Sequence, residues 1–431
     1  MREVNTDKLI SLLNAPNRYT RLDVLAELKM LTDGGLLPEP KKTGLVNNHI
    51  HTNYSFSPYS PTKAVYMAWQ SGLATAGIMD HDSLSGAEEF LRAAALVGMP
   101  ATVGMECRAS MKNTALDEKR INNPDQKSVA YVALHGIPNQ SINLLNDYFA
   151  YYRFRRGERN RKMCDNINEL IGNYGLSLDY DNDVLPISMA HEGGSVTERH
   201  ILFALAKKIT ARFDEPEKVI DFLEKEMKLD ISPKVKKQIL SGRETPDYYE
   251  YDILGALKSN MVEKFYIPAT YECPDIFELQ KVCSACGAVF AYAYLGDVGD
   301  SVTGDKKAQK FEDDYLELLF YELDRIGFDA VTYMPSRNTE AQLRRIMELC
   351  EKHRFFQISG EDINSPRQSF LCNAMENEMF SHLSDAAYAL IGHERRATKG
   401  IERAMFSEKA KDMFPDMHTR IEHYKKIVKK D

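Results

Sequence analysis

Residues 44–51 read GLVNNHIH, residues 74–82 ATAGIMDHD and residues 100–106 PATVGME. Each is a short apolar run that stops at side chains able to hold a metal or move a proton. Alternate residues of a strand share a face, so His49 and His51 can aim two imidazoles at one point. Neutral imidazole suits zinc, iron and manganese-type ions. The second run delivers Asp80, His81 and Asp82, and the third delivers Glu106. Taken singly, Asp80 or Asp82 reads as a helix cap or a solvated turn; three strand ends together read as a site. Between the second and third runs, Leu84, Ala87, Phe90, Leu91, Ala94 and Ala95 recur at helical spacing. Strands that gather such residues at their C-terminal ends predict a parallel β/α barrel with its chemistry on that face.

The late chain continues the pattern. Residues 289–294, 330–333 and 355–359 read as strands, with helical periodicity over 310–326 and 340–352. The polar loop between them, LGDVGDSVTGDKKAQK at 295–310, is long enough to cover the site, and Asp297 is a candidate surrogate ligand. The middle of the chain does not read as barrel. Helical patterns fill 139–171, 197–208, 215–228, 233–240 and 247–264. The division expected is an N-terminal helical extension (1–43), a first barrel part (44–140), a mainly helical insertion (141–275), a second barrel part (276–375) and a helical tail (376–431).

Charge narrows the class of partner. The first insertion helix carries Arg153, Arg155, Arg156, Arg159, Arg161 and Lys162, yet the 431-residue chain has a net charge of −8. A solvated helix face or a funnel for a small anion fits better than a nucleic-acid track. The spacing lets a basic side chain reach the barrel mouth, without selecting which. Seven scattered cysteines suit a reduced, cytoplasmic protein. Cys283 and Cys286 form a C-x-x-C with no second half, so they read as helix packing. No window reaches the length of a membrane span, and neither end has a signal-peptide core.

The stretches 48–90, 103–110 (VGMECRAS), 193–208 (GGSVTERHILFALAKK) and 355–365 (FFQISGEDINS) resemble the PHP (polymerase and histidinol phosphatase) superfamily of metal-dependent phosphoesterases. The resemblance implies an α/β fold: a distorted seven-stranded (β/α) PHP-type barrel with a helical insertion and helical N- and C-terminal extensions. It also implies a site for up to three metals. One metal's ligands are matched by His49, His51, Glu106 and Asp362, and His81 matches a further histidine. Phe56, Tyr131, Tyr292 and Asn364 stand where the other metals' ligands belong. Phenylalanine cannot ligate and neutral tyrosine is a poor ligand. The expectation is therefore one divalent ion per chain, zinc, manganese or iron.

On that reading His81, with Asp82 beside it, is the acid/base group. Arg199, His200, Arg337 and Arg367 are the candidates that face a small phosphorylated substrate, replacing lost metal charge. Each arginine alone reads as a surface or salt-bridge residue. The function expected is hydrolysis of a small phosphomonoester or phosphodiester. The alternatives are a degenerate barrel that binds a metal and ligand without turnover, and a hydrolase of a non-phosphate bond. Oligomeric state is not legible.

Overall fold

The apolar runs become the strands of one sheet. The computed structural model describes residues 5–297 and 310–428. Among them are β1 (Val46–Ile50), β2 (Thr75–His81), β3 (Ala101–Ser110), β4 (Val129–His135), β5 (Val289–Ala293), β6 (Ala330–Tyr333) and β7 (Phe356–Ser359), hydrogen-bonded in that order. Past the end of β7, Ile363 bridges back to Ile50: His51 N donates to Ile363 O at 3.0 Å and Ile363 N to His49 O at 3.1 Å. That bridge all but closes the sheet into a seven-stranded α/β barrel.

The barrel is not wholly parallel, as the strand ends suggested. β4 runs antiparallel to both β3 and β5, while the other pairs are parallel. The reason lies in the link between β3 and β4. Residues 111–128 contain no helix to carry the chain back to the far end, and a parallel pair needs such a crossover. Tyr131 therefore lies near the mouth, and His135 at the opposite end beside Val289.

Strand alternation separates two environments. Met79, Ala133, Val289, Ala291, Ala330, Phe356 and Ile358 form a buried cluster inside the barrel, stoppered by Ala386, Ala389 and Leu390 of helix Ser381–Ala397. Ile78, Val103, Met105, Cys107, Val132, Tyr292 and Val331 face outward into the larger core with the surrounding helices. Cys107 thus points away from Glu106, as alternation requires. Gly104 faces inward, where a Cβ would lie 2.5 Å from Met79 Cε and 2.9 Å from Leu134 O.

Helix Ile142–Ile171 climbs from the far end of the barrel to its mouth. Its first turns pack Leu145 and Phe149 on the barrel core, and its later turns bury Met163, Ile167 and Ile171 in a second core. That second core, built from residues 163–265, takes in one barrel-loop residue, Phe56. The N-terminal helix Arg18–Asp33 is fastened by Arg21, which donates to Glu89 Oε1 at 2.8 Å in a buried pair. Among the described residues no helix is long and apolar enough to cross a membrane.

Candidate metal centre

β1, β3 and the segment after β7 bring four side chains together around His51. The Nε2 atoms of His49 and His51 lie 3.2 Å apart, and Asp362 Oδ1 is 3.1 Å from His51 Nε2. Glu106 Oε2 is 4.0 Å from His49 Nε2. Donor atoms of His49, His51 and Glu106 all fall within 4.8 Å of one another. Two nitrogens bound at zinc-like lengths around a tetrahedral ion stand about 3.3 Å apart. The donor set therefore fits a divalent ion without rearrangement of the histidine pair.

A glycine makes the convergence sterically possible. A Cβ on Gly360 would lie 2.6 Å from His49 Cβ and 2.8 Å from His49 N, so only glycine lets the chain leaving β7 press against β1. Two residues on, Asp362 reaches His51. The other ring nitrogen of His51 is also held: Nδ1 lies 3.2 Å from Ser55 Oγ, which donates to Asp80 Oδ1 at 2.7 Å. Asp80 is buried and accepts two further bonds, from Thr52 N and Thr52 Oγ1, each at 2.6 Å. Such a relay fixes the ring so that Nε2 faces the cluster.

The charges are tightly coupled. Burial, then the neighbouring His51, lowers the His49 pKa to about 4. Burial also opposes protonation of His51, but the hydrogen bond and charge of Asp362 together with the charges of Glu106 and Asp80 outweigh it, and the net shift is upward. Burial lifts the Glu106 carboxyl to about 7. For Asp362, burial is overcome by the His51 bond together with the charges of His51, His49 and Arg199, which hold the carboxyl well below its usual range. His81 Nδ1 lies 3.2 Å from Glu106 Oε2, and its ring is 4.7 Å from that of His51. Burial, His51 and Arg156 depress its pKa strongly, so it is a neutral imidazole. His49, His51 and Glu106 are buried, while the side chains of His81 and Asp362 are 22% and 41% exposed, so solvent reaches the centre from their side.

Residues 47–184 match the family model of the PHP domain. This part of the chain carries a PHP domain. Its barrel is similar to that of a protein of Bifidobacterium adolescentis described as a metal-dependent phosphoesterase, at 18% identity and a TM-score of 0.51, over 77% of this chain and 92% of that one. It also aligns with an amidohydrolase of Chromobacterium violaceum with bound sulfate and no metal, at 15% identity and a TM-score of 0.49, over 78% and 96% of the two chains. No curated protein matches the chain.

The barrel distributes the remaining candidates unevenly. Asp82 is buried against the Arg156 guanidinium, and its carbonyl accepts from Arg153 Nη1 at 2.7 Å, so this residue anchors helix Ile142–Ile171. Arg199 donates to Asn364 Oδ1, and Asn364 Nδ2 donates to Asp362 Oδ1 at 2.5 Å, so this half-buried arginine borders the centre. His200 is buried in a capping box, its Nδ1 accepting from Thr197 N at 3.0 Å, and Phe56 meets its ring edge-on at 5.0 Å.

Two arginines bond elsewhere. Arg367 donates to both oxygens of Asp252, at 2.6 and 2.7 Å, and ties the loop after β7 to helix Pro246–Phe265. Arg337 Nε donates to Leu295 O at 3.2 Å. Tyr292 pairs with Val132 on the outer face of the sheet and donates to Glu312 Oε1 at 3.2 Å, so it does not enter the barrel. Asp297 accepts from Phe311 N at 2.5 Å. Residues 298–309, the greater part of the expected covering loop, lie outside the described residues.

The sequence does not single out which basic residues line the mouth. Arg108, Arg156 and Arg159 form a buried network with Asp82, Glu198 and Glu272. Arg159 Nε donates to Glu272 Oε2 at 2.5 Å and its Nη2 to Glu198 Oε1 at 2.7 Å; Arg108 donates to Glu198 Oε1 at 3.1 Å. Arg108 was legible in principle, because it is two residues beyond Glu106 on the same strand face. Arg156 and Arg159 share a helix face at i, i+3 spacing.

Proposed function

We propose that this chain hydrolyses a small phosphoester, using one divalent ion held by His49, His51, Glu106 and Asp362. The observation that carries the reading is that His51 Nε2 lies 3.2 Å from His49 Nε2 and 3.1 Å from Oδ1 of the ionised Asp362. The donor set of two histidines and two carboxylates admits zinc, iron or manganese. When bound, such an ion supplies Lewis-acid polarisation of a phosphoryl oxygen and a hydrolytic nucleophile at neutral pH. His81, neutral and partly exposed beside Glu106, takes or returns the proton. Arg199 offers the nearest half-buried cation for the anionic group.

We read residues 141–275 as an insertion that narrows the barrel mouth, between barrel parts 44–140 and 276–375 and the extensions 1–43 and 376–431. The buried arginine–carboxylate network fastens it there, which limits the site to small substrates. Phosphomonoesterase and phosphodiesterase assays with added manganese or zinc test the reading. Turnover that disappears in Asp362→Ala is expected. One observation favours a second reading, a binding module without turnover: Phe56 fills its position with an aromatic contact to His200. Bound metal with no turnover on either ester class would select that reading.

A further inference from the structure

Across the barrel wall from Glu106, one hydroxyl is held by donors alone. Residues paired between strands face the same side. His81 pairs with Glu106, and one step nearer the mouth Arg108 pairs with Tyr131, so the four side chains line one inner wall. The rings of Tyr131 and His81 lie 6.1 Å apart. Arg108 donates to the Tyr131 hydroxyl twice, from Nε at 3.1 Å and from Nη2 at 3.0 Å. A phenolic oxygen that accepts two bonds still has its own hydrogen to give. Among the described residues no hydrogen bond takes that hydrogen up.

The group is rigid. Tyr131 N donates to Asn122 Oδ1 at 2.8 Å, and Asn122 Nδ2 donates to the carbonyls of Tyr131 at 2.7 Å and Ala293 at 2.6 Å. Arg108 is in turn fixed by Glu198 and Glu272, which also balance its charge. A polarised O–H, pre-aimed and neutral overall, suits an acceptor that carries negative charge.

We propose that Tyr131, held by Arg108, donates a hydrogen bond to an oxygen of the substrate's phosphoryl group. The choice of a phosphoryl group rests on the function proposed above; the donor itself rests on the Arg108–Tyr131 geometry. Tyr131 thereby sets the position of the anion relative to His81 without moving a proton.

The test is calorimetric binding of inorganic phosphate to the manganese-loaded full chain and to Tyr131→Phe, with metal content and thermal midpoint measured on both. Loss of one hydrogen bond to a charged group weakens phosphate binding by roughly 10- to 100-fold, with metal content unchanged. Equal affinity in the two proteins, or no phosphate binding by the unsubstituted chain, overturns the proposal. If Tyr131→Phe loses its metal or fold, a meta-fluorotyrosine at the same position decides: its stronger donor tightens phosphate binding, and unchanged or weaker binding overturns the proposal. A chain that shows the Tyr131 effect but hydrolyses no ester retains the donor and refutes the hydrolase.

Discussion

Asp362 Oδ1 lies 3.1 Å from His51 Nε2, joining the first strand of the barrel to the segment that follows the last. The same segment supplies the backbone bridge that closes the barrel, so closure and assembly of the candidate centre are one event. Substitutions at the seam should therefore affect stability and metal binding together.

Gly360→Ala tests that coupling. Its Cβ would fall 2.6 Å from His49 Cβ and 2.8 Å from His49 N, and the latter is backbone that cannot swing aside. Overpacking of this kind costs about 1–3 kcal/mol. The expected outcome is a lower denaturation midpoint accompanied by reduced metal retention; an unchanged metal affinity would separate the two.

Asp80→Asn tests the support beneath His51. The Asp80 carboxylate accepts from Thr52 N, Thr52 Oγ1 and Ser55 Oγ, and Ser55 meets His51 Nδ1. Loss of such a partner typically weakens metal binding about 10- to 100-fold. Competition with a chelator measures it, and Ser55→Ala should act in the same direction.

Glu272→Ala breaks the buried network that fastens the insertion. It would leave Arg159 without its 2.5 Å partner and deprive Arg108 of a 3.4 Å one, in a region where both guanidinium groups are buried. Removing one member of a buried pair costs about 3–5 kcal/mol. Chemical denaturation should register a loss of that order, whereas Lys352→Ala, which breaks an exposed pair with Glu317, should leave the midpoint nearly unchanged.

Acid sensitivity should come partly from the far end of the barrel. His135 is buried with neither ring nitrogen hydrogen-bonded among the described residues, and burial lowers its pKa to about 3. The unfolded chain binds that proton near pH 6.5 and the folded chain does not, so stability is lost as pH falls below 6.5 toward 3. The slope from this one group approaches 1.4 kcal/mol per pH unit. Midpoints measured between pH 7 and pH 5 should fall less steeply for His135→Leu.

Much of this arrangement is legible in the chain because alternation and strand ends are local properties. The runs ending at His49, His51, His81 and Glu106 announce both the strands and the face on which they deliver side chains, and the helical stretch after Ile142 is read from periodicity. The orientation of β4 is not local: it follows from a helix-free link, and nothing within VAYVALHGI reports direction. Asp80 reads singly as a cap because its partners, Thr52 and Ser55, come from another loop. Arg367 looks like a substrate contact beside Asp362, yet Asp252 of the insertion takes it. Tyr292 is displaced from the site by strand parity, which places Ala293 opposite Tyr131.

The central claim is that His49, His51, Glu106 and Asp362 hold one divalent ion. Metal content of the purified full chain, beside that of Asp362→Ala, tests it most directly. About one ion per chain is expected, lost in the substituted protein while its fold persists. Two or three ions per chain, or a content that Asp362→Ala leaves unchanged, would contradict it.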